Sequence, residues 1–338
     1  MPTLTRRRLL LGACAAVGVA GLALSGRPAR AQEGTHSVHE LDWEDGSRRR
    51  PVPALLYLPG PALSGVPAPS TPSPGSAAPV PLVLFSHGLG GSRQGYTYLG
   101  RHFAASGVAC LHLQHVGSDR RVWSGGSPLE LLGRLRDAAQ EAEAIARVQD
   151  LRFGLDRLLA SEFGPRIDAN RVVAAGHSFG ANTAMLAAGA RLQREGRAVD
   201  FRDERVRAAV LLSAPPFHGE PEPARIVGAV QVPSLHITNT DDTIRVPGYY
   251  STAEDRVAVF DAMGSARKVL AVFAGGGHSV FTDRRGPGGP LLNGRVKEAT
   301  KTLALAFVRS VLEGDDTALS AWPGRHAELL ARYEGPKA

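Results

Sequence analysis

The chain has 338 residues, 43% of them hydrophobic and 21% charged, a composition that excludes wholesale disorder and can fill a core. The net charge of +7 does not mark a nucleic-acid binder. Five arginines (6, 7, 8, 27 and 30) and no acid fall in the first 31 residues, and beyond them 34 bases face 32 acids, with no basic run interleaved with aromatics.

In chain order, Thr5-Arg6-Arg7-Arg8-Leu9-Leu10 is a twin-arginine pattern. An apolar stretch follows from Leu9 to Leu24, and Ala29-Arg30-Ala31 supplies small residues for a signal peptidase. The stretch is short and interrupted by Gly and Ser, so no stable membrane span is expected of the mature chain. Residues 1–31 are therefore predicted to be an export signal, its partner the twin-arginine translocation machinery and its destination periplasmic or secreted. Leu11-Gly12-Ala13-Cys14 also has the form of a lipoprotein processing site but follows the arginines closely. Cleavage after Ala31, retention as an anchor and lipidation at Cys14 are all compatible with the segment. The other cysteine, Cys110, lies in an apolar run and reads as a buried strand residue.

Residues 35–43 and 51–58 are predicted strands joined through Asp45-Gly46, with Pro51 and Pro53 suggesting an edge position. Residues 60–79, rich in Pro, Ser, Ala and Gly, read as a flexible surface loop. Short apolar blocks then predict strands at 80–85, 108–113, 171–175, 206–212, 232–238 and 268–273. Helices are predicted at 96–106, 128–160 (one or two), 179–193, 252–263 and 294–313. Strands alternating with helices imply an α/β fold: a mostly parallel central sheet of about eight strands with helices on both faces, forming one catalytic domain over 32–338. Residues 114–140 form a possible cap insertion.

Gly176-His177-Ser178-Phe179-Gly180 follows a predicted strand and opens an alanine-rich helix, the context a nucleophile elbow requires. A tight turn there projects the Ser178 hydroxyl above the sheet, and the flanking glycines let backbones approach closely. Ser86-His87-Gly88-Leu89-Gly90-Gly91 follows another buried strand. Its amide of Leu89, with that of Phe179, is a candidate oxyanion hole for acyl transfer. His87 reads as a residue shaping this loop or lining a substrate pocket; Trp123 is a second pocket candidate. Gly275-Gly276-Gly277-His278 puts the candidate base late in the chain. A carboxylate after the strand 232–238 would orient it, and Asp242 is preferred to its neighbour Asp241, since adjacent carboxylates cannot both point at one imidazole. No metal site is expected: His-Glu-x-x-His and paired-cysteine patterns are missing from the sequence. No cofactor is required by this chemistry.

Phe85–Gly91, Tyr98-Leu99-Gly100, Ala104-Ala105-Ser106-Gly107, Ile167–Val172 and Gly176–Gly180 together resemble the platelet-activating-factor acetylhydrolase and dienelactone-hydrolase-like branch of the α/β-hydrolases. The resemblance implies an eight-stranded core, a Ser-His-Asp triad and hydrolysis of acyl esters, with a small-molecule or lipid ester as substrate. Two features depart from it. The acetylhydrolases place their acid after the preceding strand, where this chain reads Ser213-Ala214-Pro215-Pro216. Dienelactone hydrolases use a cysteine nucleophile, where this chain has Ser178. The expected function is that of an exported carboxylic ester hydrolase acting through Ser178, His278 and Asp242. The competing readings are an acyltransferase using the same acyl-enzyme and a non-catalytic binding protein on the same scaffold.

Overall fold

The computed structural model describes residues 36–60, 78–194, 197–220, 222–246, 249–284 and 289–336. The predicted signal 1–31, and residues 61–77 of the predicted loop, lie outside the described residues. β1 (His36–Asp45) and β2 (Arg50–Pro59) form a hairpin, followed by β3 (Val80–Ser86), β4 (Ala109–Leu113) and β5 (Ile167–His177). A small hairpin of β6 (Arg191–Arg194) and β7 (Arg197–Asp200) precedes β8 (Val206–Leu212) and β9 (Ser234–Asp241). A second, β10 (Ile244–Val246) with β11 (Tyr249–Ser251), precedes β12 (Lys268–Gly277) and β13 (Leu330–Glu334). The main sheet has nine strands among the described residues, in the order β1-β2-β4-β3-β5-β8-β9-β12-β13. From β4 to β12 all neighbours are parallel; β2 and β13 pair antiparallel to β4 and β12.

The expected α/β-hydrolase fold is therefore present, with one strand more than the eight expected. The addition is β13, whose Leu-Ala-Arg-Tyr-Glu sequence carries no apolar block. Two further expectations are corrected. β2 is not an edge: it pairs with β1 on one side and, from Ala54 to Tyr57, with β4 on the other. Pro51 and Pro53 are tolerated because they precede that second ladder, where a missing N–H would be felt. The helix predicted over 179–193 stops at Ala187, and Arg191 already belongs to β6. Gly189, at φ 113°, turns the chain there.

Among the described residues eight helices complete the layers: α1 (Thr97–Ala105), α2 (Pro128–Ala138), α3 (Glu141–Leu159), α4 (Phe179–Ala187), α5 (Ala224–Val227), α6 (Ala253–Ala262), α7 (Gly289–Glu313) and α8 (Thr317–Arg325). Strand side chains alternate between faces. Leu82 and Leu84 of β3 therefore join one core, with Leu151, Leu155 and Leu158 of α3 and the alanines of α4. Val83 and Phe85 join the other, with Phe103 of α1 and Leu303 and Phe307 of α7. Each fully buried Leu or Phe contributes about 1.5–3 kcal/mol. Covering both faces explains why the central strands are apolar throughout. It also leaves the carboxyl ends of the parallel strands as the edge where loops gather. No helix among the described residues is long and apolar enough to cross a membrane.

Candidate active site

Four neighbouring parallel strands each deliver one residue to the same edge of the sheet: Ser178 after β5, Ser213 after β8, Asp242 after β9 and His278 after β12. Ser178 sits at φ 54°, a left-handed conformation that costs a non-glycine residue energy. Its amide donates to Leu212 O at 2.9 Å, and α4 begins at the next residue. The turn is possible only because its glycines lack side chains. A Cβ on Gly180 would lie 1.9 Å from Ser86 O, and one on Gly176 would lie 2.1 Å from Gly180 O.

The Ser178 hydroxyl lies 2.8 Å from His278 Nε2, and His278 Nδ1 lies 2.8 Å from Asp242 Oδ1. The structure thus brings together the three residues nominated from the sequence. Asp241 is exposed and turned away, accepting from Thr240 Oγ1 at 3.2 Å. Ser178 does not stand clear of the surface as the elbow motif suggested. Only 8% of it is accessible, because the His278 ring and the Gly88 backbone lie against it; a Cβ on Gly88 would be 3.4 Å from Ser178 Cβ.

Asp242 has no exposed surface. Burial pushes its carboxyl up, but His278, Arg256 and Ser213 outweigh that and hold it well below the usual carboxylate range. Ser213 Oγ donates to Oδ2, Thr238 Oγ1 donates to Oδ2 at 2.7 Å, and Arg256 Nη2 stands 3.5 Å from Oδ1. Ser213 Oγ is also 2.7 Å from His278 Nδ1. Ser213 carries no sequence motif; its segment stands out in the sequence only for lacking a carboxylate. The strand-end position and a non-glycine φ of 52° there are the features that mark it.

The loop 87–91 lies beside the elbow. Among the described residues, the Leu89 and Phe179 amides, both nominated as oxyanion donors, have no protein acceptor. Phe179 is the first residue of α4, where backbone N–H groups have no partner within the helix. Of the two readings of His87, its burial fits the loop-shaping one. It is 1% exposed, its Nδ1 lies 2.7 Å from Gly88 O, and its Nε2 accepts from the His115 amide at 3.2 Å. Burial and the nearby Arg147 push its pKa far down, so it stays neutral. Arg147 is itself fully buried. It donates to His87 O, to Ser118 Oγ at 2.7 Å and to Thr183 Oγ1 at 3.0 Å, with its guanidinium 4.7 Å from the centre of the Phe179 ring. The 114–140 segment packs on the same loop. Ser118 O accepts from the Gly90 amide at 2.8 Å, and the Trp123 indole donates to Gly90 O at 3.0 Å. Trp123 is half-exposed on this rim.

A cleft of about 490 Å³ opens beside His278, lined by Asp241, Thr243, Gly275 to Ser279 and Leu292. His87 and Trp123 lie outside that lining. Other groups singled out in the sequence are structural. Cys110 is buried in β4 and its thiol is pushed up by burial. His112 and His236 are buried, each with one ring nitrogen bonded, to Gly95 O and Ser234 Oγ. Among the described residues no cluster of three or more His, Cys, Asp or Glu is placed to hold a metal.

The family model for platelet-activating factor acetylhydrolase, isoform II, matches residues 68–121, the stretch that includes the 87–91 loop. A search of curated proteins finds no match. Among solved structures, a ferulic acid esterase from Streptomyces cinnamoneus superposes with a TM-score of 0.58 at 23% identity, over 87% of this chain and 94% of that one. A cold-adapted esterase from an Arctic intertidal metagenomic library matches at a TM-score of 0.49 and 19% identity, over 73% of this chain and 87% of that one. The chain shares the α/β-hydrolase fold with the ferulic acid esterase, and its likeness to the acetylhydrolase family is carried by residues 68–121.

Proposed function

We propose that this protein is an exported serine hydrolase that cleaves carboxylic esters through an acyl-enzyme on Ser178. The observation that carries the reading is the continuous hydrogen-bonded line from Ser178 Oγ through both nitrogens of His278 to Asp242, each step 2.8 Å. In the first step His278 Nε2 takes the Ser178 proton as Oγ attacks the ester carbonyl, and Asp242 stabilises the imidazolium. The oxyanion is held by the Leu89 and Phe179 amides, each donor worth on the order of 3 kcal/mol in the transition state. His278 returns its proton to the departing alcohol. Water, activated by the same imidazole, then releases the acid.

Hydrolysis is favoured over transfer to another alcohol because the base is open to solvent: the His278 side chain is 23% accessible and borders the cleft. The test is a set of p-nitrophenyl esters of graded chain length, assayed with wild type and Ser178→Ala and with an added alcohol acceptor. Release of free acid that depends on Ser178 supports the reading. Ester product in place of acid would make the protein a transferase, and no turnover by folded wild type would leave it a binding protein. Export is proposed from residues 1–31. Lysine at positions 7 and 8 is expected to leave the precursor in the cytoplasm, as seen by cell fractionation.

A further inference from the structure

One of the two proposed oxyanion donors, the Leu89 amide, and the proposed base both belong to glycine-rich segments. Gly88-Leu89-Gly90-Gly91 carries one, and Gly275-Gly276-Gly277 leads into the other, with Gly90, Gly275 and Gly276 at φ 71°, 74° and 86°. Glycine backbone has alternatives of similar energy, so each loop depends on contacts from outside it; Ser118 O and the Trp123 indole hold the first at Gly90, and Thr240 Oγ1 holds the second at Gly275. Both loops converge on one side chain of the elbow. His177 Nε2 lies 3.0 Å from His278 O, and His177 Nδ1 lies 2.8 Å from Tyr96 Oη. Tyr96 Oη in turn accepts from the Gly88 amide at 3.4 Å. With Nε2 protonated, the polarity runs one way: Gly88 N–H to Tyr96 Oη, Tyr96 O–H to His177 Nδ1, His177 Nε2–H to His278 O. Tyr96 and His177 are both about 3% exposed. Burial, then the charge of His278, hold the His177 pKa down at about 3, so the neutral ring keeps one donor and one acceptor across the working range. Tyr96 occupies φ 58° with no side-chain cap at the start of α1, a strained backbone kept at the one residue whose hydroxyl spans the gap.

Resting on the ester-hydrolase reading above, we propose that Tyr96 and His177 are positioning residues, one buried relay that sets the oxyanion loop and the base loop against Ser178 together. The relay touches no substrate. Its first link seats the peptide next to the Leu89 amide, and its last seats the backbone of His278. Losing either link lets both loops relax, so the two residues act as a unit.

The test is a double-variant cycle on the full chain with Tyr96→Phe, His177→Phe and both, alongside His177→Gln. The expected result is a ten- to hundredfold fall in kcat for each single variant, with KM within threefold. The double variant is expected to be no slower than the worse single, and His177→Gln, whose amide keeps a donor and an acceptor, at least tenfold faster than His177→Phe. Thermal melts check folding; if His177→Phe does not fold, the cycle is run with His177→Ala, which also removes both ring nitrogens. Losses that multiply in the double variant, losses that fall on KM alone, or single variants with wild-type kcat would overturn the relay while leaving ester hydrolysis intact. Absence of turnover in folded wild type would remove the underlying reading instead.

Discussion

Asp242 is a carboxylate with no exposed surface, kept charged by the groups around it: the His278 ring, two hydroxyl donors and the Arg256 guanidinium. Hydrogen bonds to charged groups are worth about 1.5–3 kcal/mol, so Ser213→Ala is expected to lower kcat about ten- to hundredfold, read by steady-state kinetics. Asp242→Asn, which leaves the imidazole in the wrong tautomer, is expected to cost on the order of ten thousandfold, as in the serine protease after which that effect is known. Asp241→Asn is expected to stay within threefold, because that carboxylate points to solvent. At this scale the sequence reveals the residues that sit in motifs. Ser178 and His278 are legible from their glycines, and Asp242 from its place after a strand. Ser213, Tyr96 and Arg256 are not, because their roles come from strands and helices far apart in the chain. The full burial of Arg147 and Arg256 likewise has no local signature.

Elements near the site are set by backbone contacts with almost no slack. Gly180→Ala would drive a methyl into Ser86 O, a backbone atom that cannot step aside. The expected outcome is loss of more than about 3 kcal/mol of stability or failure to fold, measured by denaturant unfolding. Gly275→Ala meets only Leu292 Cδ2 at 3.4 Å, and its cost is the strain of φ 74° alone, about 1 kcal/mol. The buried strands were legible because covering both faces of a parallel sheet demands apolar blocks. β13 was not: it pairs antiparallel at the edge, with Arg332 and Glu334 in its ladder, and a polar edge strand looks like a tail. The alanine-rich run predicts a helix to 193, longer than the observed one, because the chain turns at Gly189.

For the whole molecule, several histidines are carried neutral in the interior, and this sets an acid limit to stability. Burial holds His177 and His236 at about 3 and His112 at about 4, against an unfolded value near 6.5. Below about 6.5 the unfolded chain binds protons that the folded chain refuses. Stability is therefore full above that pH and falls as pH drops toward 3 to 4. Each such histidine adds about 1.4 kcal/mol per pH unit to the slope. Melting temperatures are expected to fall steeply from pH 7 to pH 5, with uptake of about three protons or more on unfolding at pH 5. A flat profile over that interval would show that these rings are not neutral and buried together.

The central claim is a covalent step at one hydroxyl, and mass spectrometry of the intact and digested protein after incubation with a fluorophosphonate tests it most directly. The expected result is one phosphonyl group per chain, on the peptide carrying Ser178, lost in Ser178→Ala and strongly slowed in His278→Ala. A folded wild-type protein left unmodified at Ser178, or an adduct on another residue that tracks the activity, would contradict it.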